Sequence, residues 1–179
     1  MPPRAFRELV LIRHAKSSRD DPALDDFDRP LNARGKRDAP EMGERLRLQG
    51  CIPDLILCSP AKRARKTARP IAEALGYPKE KVDLDARLYL LGAEELGSLV
   101  REVPDERRRV FLVGHNPDIT EFAEWLSGEN LGNIPTCGVV ALRMNVPAWR
   151  AIGANTGTLL FFDYPKKPRS GESGVSSAS

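Results

Sequence analysis

The 179-residue chain predicts an α/β fold built on a mostly parallel sheet. Three short apolar runs, Leu9–Ile12, Leu55–Cys58 and Val110–Val113, are each bounded by polar residues, as strands buried on both faces are. Segments with helical apolar spacing alternate with these runs almost to the end of the chain, which is the pattern of strand–helix–strand crossovers. Each run also ends on residues suited to chemistry: Arg13-His14, Ser59-Pro60 and Gly114-His115. In open α/β sheets, ligands bind just beyond the carboxyl ends of the strands.

The first strand leads into a polar loop, Ser17 to Asn32, rich in aspartate and containing Pro22 and Pro30. A helix is expected from Ala33 to Gln49, with Ala39, Met42, Gly43 and Leu46 on one face, Pro40 kinking it or delaying its start, and Gly50 stopping it. The second strand, Asp54 to Cys58, meets Ser59-Pro60, which reads as an N-cap followed by proline at the first helical position. Ala61, Ala64, Ala68, Ile71, Ala72 and Leu75 form the buried stripe of that helix, which stops at Gly76. A short strand at Val82–Leu84 and a helix from Ala93 to Glu102 follow. The strand Arg109–Gly114 precedes His115, and Asn116-Pro117 repeats the cap-plus-proline pattern before a stripe of Ile119, Phe122, Ala123 and Leu126. Val139–Met144 and Thr158–Asp163 read as two further strands, a hairpin or edge pair joined through a Gly- and Asn-rich turn. Residues 1–165 are expected to form a single domain, and residues 166–179, rich in Lys, Pro, Gly and Ser, a disordered basic tail.

Composition narrows the function classes. The chain is 41% hydrophobic and 30% charged, ordinary for a globular protein. Of its formal charge of +3, the tail carries +2, so the body is nearly neutral and predicts no nucleic-acid partner. No apolar stretch is long enough to span a membrane, and the four-residue N-terminal run does not read as a signal peptide. Cys51, Cys58 and Cys137 form no C-x-x-C pair, which suggests reduced thiols and a cytoplasmic setting. No metal-ligand spacing and no G-x-x-x-x-G-K-[ST] loop is present, so neither a metal nor any other cofactor is expected.

The two histidines of the chain both end strands, a duplication that sets them apart from packing residues. A neutral imidazole can attack phosphorus and form a phosphohistidine, which makes His14 the candidate nucleophile. Nearby arginines would keep its ring uncharged and hold the phosphoryl group. For Arg13 to join His14 at one ligand, the chain must leave strand geometry near residue 13, because neighbours in a strand point to opposite faces. Arg63 sits in the first turn of a helix, where free amides already favour anions, and can grip phosphate with its planar fork. His115 would be a further donor to the same group. Arg65, Lys66 and Arg69 read as solvated helix residues, and Arg107–Arg109 as a solvated turn.

Arg13-His14-Ala15-Lys16-Ser17, Arg29-Pro30-Leu31 with Arg34-Gly35, Ser59-Pro60 with Arg63-Ala64 and Thr67-Ala68, and Gly114-His115-Asn116-Pro117 together resemble the histidine phosphatase superfamily, most closely its small SixA-type phosphohistidine phosphatase branch. The resemblance implies a three-layer α/β/α sandwich like that of phosphoglycerate mutase and metal-independent phosphate transfer. It makes His14 the phosphorylated residue, with Arg13, Arg63 and His115 holding the phosphoryl group and Ser17 among the substrate-binding residues. Asp20 stands where many members of the superfamily carry a phosphate-binding asparagine. Larger relatives also place a glutamate acid where this chain reads Leu88-Tyr89-Leu90-Leu91, and Asp85, Glu94 and Glu95 are the carboxylates nearest in sequence. A site without a strong acid favours phosphohistidine over phosphate esters, because an alkoxide leaving group needs a proton more than an imidazole does. The expected substrate is therefore a phosphohistidine-bearing protein. A small phosphorylated metabolite is the alternative, and a non-catalytic phosphate-binding module a further one.

Overall fold

The computed structural model describes residues 6–168. Six strands form a single mixed sheet in the order β3-β2-β4-β1-β5-β6, all running the same way except β5, which is antiparallel to both of its neighbours. The strands are β1 (Arg7–Arg13), β2 (Leu55–Cys58), β3 (Asp83–Leu84), β4 (Arg109–Gly114), β5 (Val139–Met144) and β6 (Gly157–Asp163). The helices are α1 (Ala33–Leu48), α2 (Lys62–Ala74), α3 (Ala93–Arg101) and α4 (Asp118–Ser127).

Side-chain alternation along the central strands builds two cores. Leu9 and Leu11 of β1, with Val110 and Leu112 of β4, face Leu96, Val100, Ile119 and Phe122 of α3 and α4. Val10, Ile12, Phe111 and Val113 face the opposite way, onto Ala39, Met42, Ala68 and Ile71 of α1 and α2. Each strand therefore reads as a continuous apolar run although its residues divide between two layers. The result is the expected three-layer sandwich. Gly43 lets α1 and α2 approach closely, since a Cβ there would lie 2.8 Å from that of Ala74. Arg65 is half-buried, and Lys66 and Arg69 are exposed, as solvated helix residues are.

Three details differ from expectation. Helix α1 runs unbroken in its assignment from Ala33 past Pro40, started by Asn32, whose side chain accepts from the Gly35 amide at 2.9 Å. Ser59 does not cap α2, which begins at Lys62 with Ala61 at the cap position. Its hydroxyl is instead taken by the Ala61 amide and by His115. In the second instance, Pro117 itself holds the cap position of α4, while the Asn116 side chain accepts from the amide and hydroxyl of Thr120. The β5–β6 pair is antiparallel, with β5 inside the sheet against β1 and β6 on the edge. Of the expected tail, Lys166–Pro168 are described, with the Lys167 amide donating to the Tyr164 carbonyl at 3.0 Å; the remainder lies outside the described residues. No helix among the described residues is long and apolar enough to cross a membrane.

Candidate active site

Strands β2, β4 and β1 are adjacent and parallel, with Cys58 in register with Val113 and Arg13 with Gly114. The residues that follow, Ser59, His115 and His14, therefore emerge at one edge of the sheet. Backbone bonds hold them there: the His14 amide donates to the Gly114 carbonyl at 3.0 Å and the Ser59 amide to that of Val113 at 2.9 Å. Behind them, the Ala15 amide donates to Thr67 Oγ1 at 2.9 Å, and that hydroxyl donates to the Arg63 carbonyl at 2.8 Å. Thr67 thus fastens the turn after β1 to the start of α2.

His14 Nδ1 lies 2.7 Å from the carbonyl oxygen of Ala15. A carbonyl only accepts, so Nδ1 carries the ring proton and Nε2 bears the lone pair. Arg63 agrees, since its Nε–H donates to His14 Nε2 at 3.3 Å. Burial lowers the His14 pKa to about 3, and the charges of Arg63, Arg13 and Arg29 act in the same direction against the Ala15 bond. The ring is thus neutral near pH 7, with the tautomer a nucleophile needs.

His115 packs beside it, with ring centroids 5.1 Å apart. Its Nε2 is 2.7 Å from Ser59 Oγ, which also accepts from the Ala61 amide at 3.2 Å. The Ser59 hydroxyl is fully buried and has no other acceptor for its proton among the described residues, which assigns it as the donor to His115 Nε2. The proton of neutral His115 then sits on Nδ1, a buried atom with no hydrogen-bond partner among the described residues. Burial, followed by the neighbouring His14 and Arg63, lowers the His115 pKa to about 3. Arg13 also lines the cavity; one terminal nitrogen donates to the Ile134 carbonyl at 2.9 Å, while its Nε is buried with no hydrogen-bond partner among the described residues. Asn116 donates to that same carbonyl at 3.0 Å, tying the start of α4 to the segment that steadies Arg13. Two N–H donors on cavity-lining residues are thus left without a protein acceptor among the described residues.

The cavity has a volume of about 460 Å³ and is lined by Arg13, His14, Arg63 and His115, together with Ser17, Asp20, Asp26, Arg29 and Leu90. All four core residues expected to act together do meet there. Arg63 is only 3% exposed. Ser17 lines the cavity too, but its hydroxyl accepts from an Arg29 nitrogen at 2.7 Å. Asp85 is paired with Arg87, and neither it nor Glu94 nor Glu95 lines the cavity. No group of three or more His, Cys, Asp or Glu side chains among the described residues is placed to hold a metal ion.

Two carboxylates line the cavity, Asp20 and Asp26, and the one bonded to Arg63 is Asp26, from a single 3-10 turn (Asp26–Asp28) inside the polar loop. Its Oδ2 accepts from Arg63 at 2.9 Å and from the Tyr89 hydroxyl at 2.6 Å. Its Oδ1 accepts twice from Arg29, at 3.2 and 3.0 Å, and its backbone carbonyl takes the other terminal nitrogen of Arg63 at 2.6 Å. Burial opposes its charge, but the hydrogen bonds from Tyr89 and Arg63 and the nearby guanidinium hold its carboxyl well below the usual range. Tyr89 in turn packs edge-on against both Phe27 and His115.

Comparison with known proteins accords with this geometry. Residues 9–89 match the family model of the histidine phosphatase superfamily (branch 1). An uncharacterized chloroplastic protein of Arabidopsis thaliana is 33% identical over 84% of this chain and 72% of its own length. The structure of SixA from Nakamurella multipartitia superposes with a TM-score of 0.81 at 27% identity, over 92% of this chain and 99% of that one. SixA from Agrobacterium tumefaciens is 30% identical over 89% of this chain and 98% of its own, with a TM-score of 0.75. The chain belongs to the histidine phosphatase superfamily, in its SixA-type branch. As a histidine phosphatase it is a hydrolase of phosphorylated substrates that works through a catalytic histidine, and its sandwich is the phosphoglycerate mutase-like fold.

Sequence reasoning missed Asp26, Tyr89 and the role of Ser59 in this histidine phosphatase. Asp26 stands among Asp20, Asp21, Asp25 and Asp28, and nothing local distinguishes it from them. Ser59 followed by proline has the appearance of a helix cap. Tyr89 could have been found as the polar member of the Leu88–Leu91 stretch, a residue that needs a partner when drawn inward.

Proposed function

We propose that the protein removes phosphate from phosphohistidine borne on another protein, through a covalent phosphoryl group on His14. The observation that carries this reading is the tautomer of His14. Its Nδ1 is committed to the Ala15 carbonyl, so Nε2 is the nucleophile and a neutral imidazole can later leave from phosphorus without an added proton. Arg13, Arg63 and His115 Nδ1–H would hold the phosphoryl oxygens, supplying fixed donors where transition-state charge develops. Ser17 acts one step removed, by holding Arg29 in place.

Atoms balance without an outside acid when the substrate ring is protonated. His14 Nε2 forms a bond to phosphorus as the substrate's P–N bond breaks, and the electron pair returns to a ring that leaves as neutral imidazole. Water then attacks phosphorus, its proton passes to a phosphoryl oxygen, and His14 departs neutral with dihydrogen phosphate as product. An alkyl ester run through the same steps leaves as an alkoxide, and the carboxylates nearest in sequence to the missing glutamate, Asp85, Glu94 and Glu95, lie off the cavity. A protein-sized substrate is supported by apolar side chains exposed at and next to the cavity: Leu90, which lines it, is 46% exposed, and Phe27, which follows Asp26 and packs on Tyr89, is 37% exposed. Three buried thiols fit a reducing, cytoplasmic setting.

The test incubates the protein in EDTA with a phosphohistidine-bearing protein and with a small phosphate ester, and traps acid-labile phosphate on wild type and His14→Ala. Trapped label on the wild type alone, with faster turnover of the phosphoprotein, is the expected result. Preferential turnover of the ester would replace this reading with a metabolite phosphatase. Absence of label and turnover with both would make the protein a binding module, and strict metal dependence would overturn the mechanism.

A further inference from the structure

We infer that Asp26 is a specificity-determining residue that selects substrates whose leaving group carries positive charge. The inference rests on the covalent route through His14 and adds the feature that reads the departing group.

The geometry begins with Arg63, whose Nε–H reaches His14 Nε2 at 3.3 Å while a terminal nitrogen reaches Asp26 Oδ2 at 2.9 Å. The carboxylate therefore stands one guanidinium away from the attacking nitrogen. In-line displacement places the leaving group across phosphorus from His14, and hence toward the mouth through which the substrate enters. Asp26 is at that mouth, its side chain 47% exposed. Both of its oxygens already accept two hydrogen bonds, from Arg63, Tyr89 and Arg29. Four donors on one carboxyl group define an acceptor, not an acid. Such a group cannot supply the proton an alkoxide requires. Its negative charge does attract a cationic ring, so it favours the protonation state in which that ring departs as a neutral molecule. Arg63 and Arg29 would attract any phosphate dianion alike; Asp26 supplies the discrimination between leaving groups.

Asp20 is the other carboxylate lining the cavity, and the experiment separates the two. Wild type, Asp26→Asn and Asp20→Asn are assayed with 1-methyl-3-phosphoimidazolium, whose ring charge is permanent, and with p-nitrophenyl phosphate, whose phenolate leaves without a proton. In Asp26→Asn, kcat/KM for the cationic substrate is expected to fall by about tenfold relative to the aryl ester, the effect of removing one negative charge beside a cationic ring. Thermal unfolding of the variant confirms that it is folded. Equal losses with both substrates would reduce Asp26 to a positioning residue for Arg63 and overturn the inference. So would a shift of selectivity in Asp20→Asn with none in Asp26→Asn. Phosphate trapped on wild-type His14 alongside unchanged selectivity overturns only the role of Asp26, whereas no trapped phosphate from either substrate overturns the covalent route as well.

Discussion

Ser59→Ala separates the two histidines' contributions. The substitution removes the hydroxyl that lies 2.7 Å from His115 Nε2 and the acceptor for the Ala61 amide at 3.2 Å. Ser59 is fully buried and His115 is 2% exposed, so water is poorly placed to replace the lost partner. Two consequences follow in energy. Leaving buried groups unpaired costs about 1–3 kcal/mol, read as a lower midpoint in thermal unfolding. The ring is also freed to move its proton to Nε2, which removes the Nδ1–H donor from the phosphoryl site. A hydrogen bond to a charged group contributes about 1.5–3 kcal/mol, so kcat/KM should fall by roughly ten- to a hundredfold. Steady-state kinetics with p-nitrophenyl phosphate and ¹⁵N NMR of the labelled imidazoles are the paired assays. Wild type should show protonated Nδ1 on both rings, and the variant a changed pattern for His115 alone. Activity within twofold of wild type with an unaltered His115 spectrum would refute the assignment of this tautomer.

Three other outcomes are expected. Both histidines have pKa values lowered to about 3, so their ring signals should not titrate through the ordinary imidazole range near pH 6.5. Because the unfolded chain takes up those protons first, stability should be full above about pH 6.5 and decline as pH falls toward 3, by on the order of 1 kcal/mol per pH unit for each ring. Urea unfolding across that window checks the sign. Gly35→Ala would place a Cβ 2.2 Å from the Lys16 carbonyl oxygen, forcing the loop after His14 away from α1. A loss of about 1–3 kcal/mol in chemical denaturation is expected, with weaker inhibition by inorganic phosphate. Leu91→Asp, at an exposed position next in sequence to the cavity-lining Leu90, should lower kcat/KM for a phosphohistidine-bearing protein several-fold more than for p-nitrophenyl phosphate; parallel changes would argue against protein docking there.

Much of this was legible in the chain because buried strands advertise themselves. Val110–Val113 is apolar at every position since both of its faces are covered, and the register of parallel neighbours then places His115 beside His14. Arg63 was legible through its place near a helix start, although that helix begins at Lys62 and not at Pro60. The side chains that complete the site were not. Asp26 is chosen from five nearby aspartates by the fold alone, when the loop turns to set it between Arg63, Arg29 and Tyr89. Ser59 has the local chemistry of a cap, and only the arrival of His115 from β4 gives its hydroxyl a different partner. Local propensity cannot foresee contacts between residues 56 positions apart.

The two halves of the cavity are built from different kinds of backbone. His14, Ser59 and His115 hang from strands joined by backbone hydrogen bonds in the middle of the sheet, so they can be displaced only by opening the core. Asp26 and Leu90 lie instead on loop segments outside the sheet, with Asp26 on a single 3-10 turn. Insertions or substitutions in those loops leave the strands intact. The machinery for handling phosphorus and the surface for choosing its donor can therefore diverge separately: one fixed chemistry, offered to successive substrates by changing only the rim.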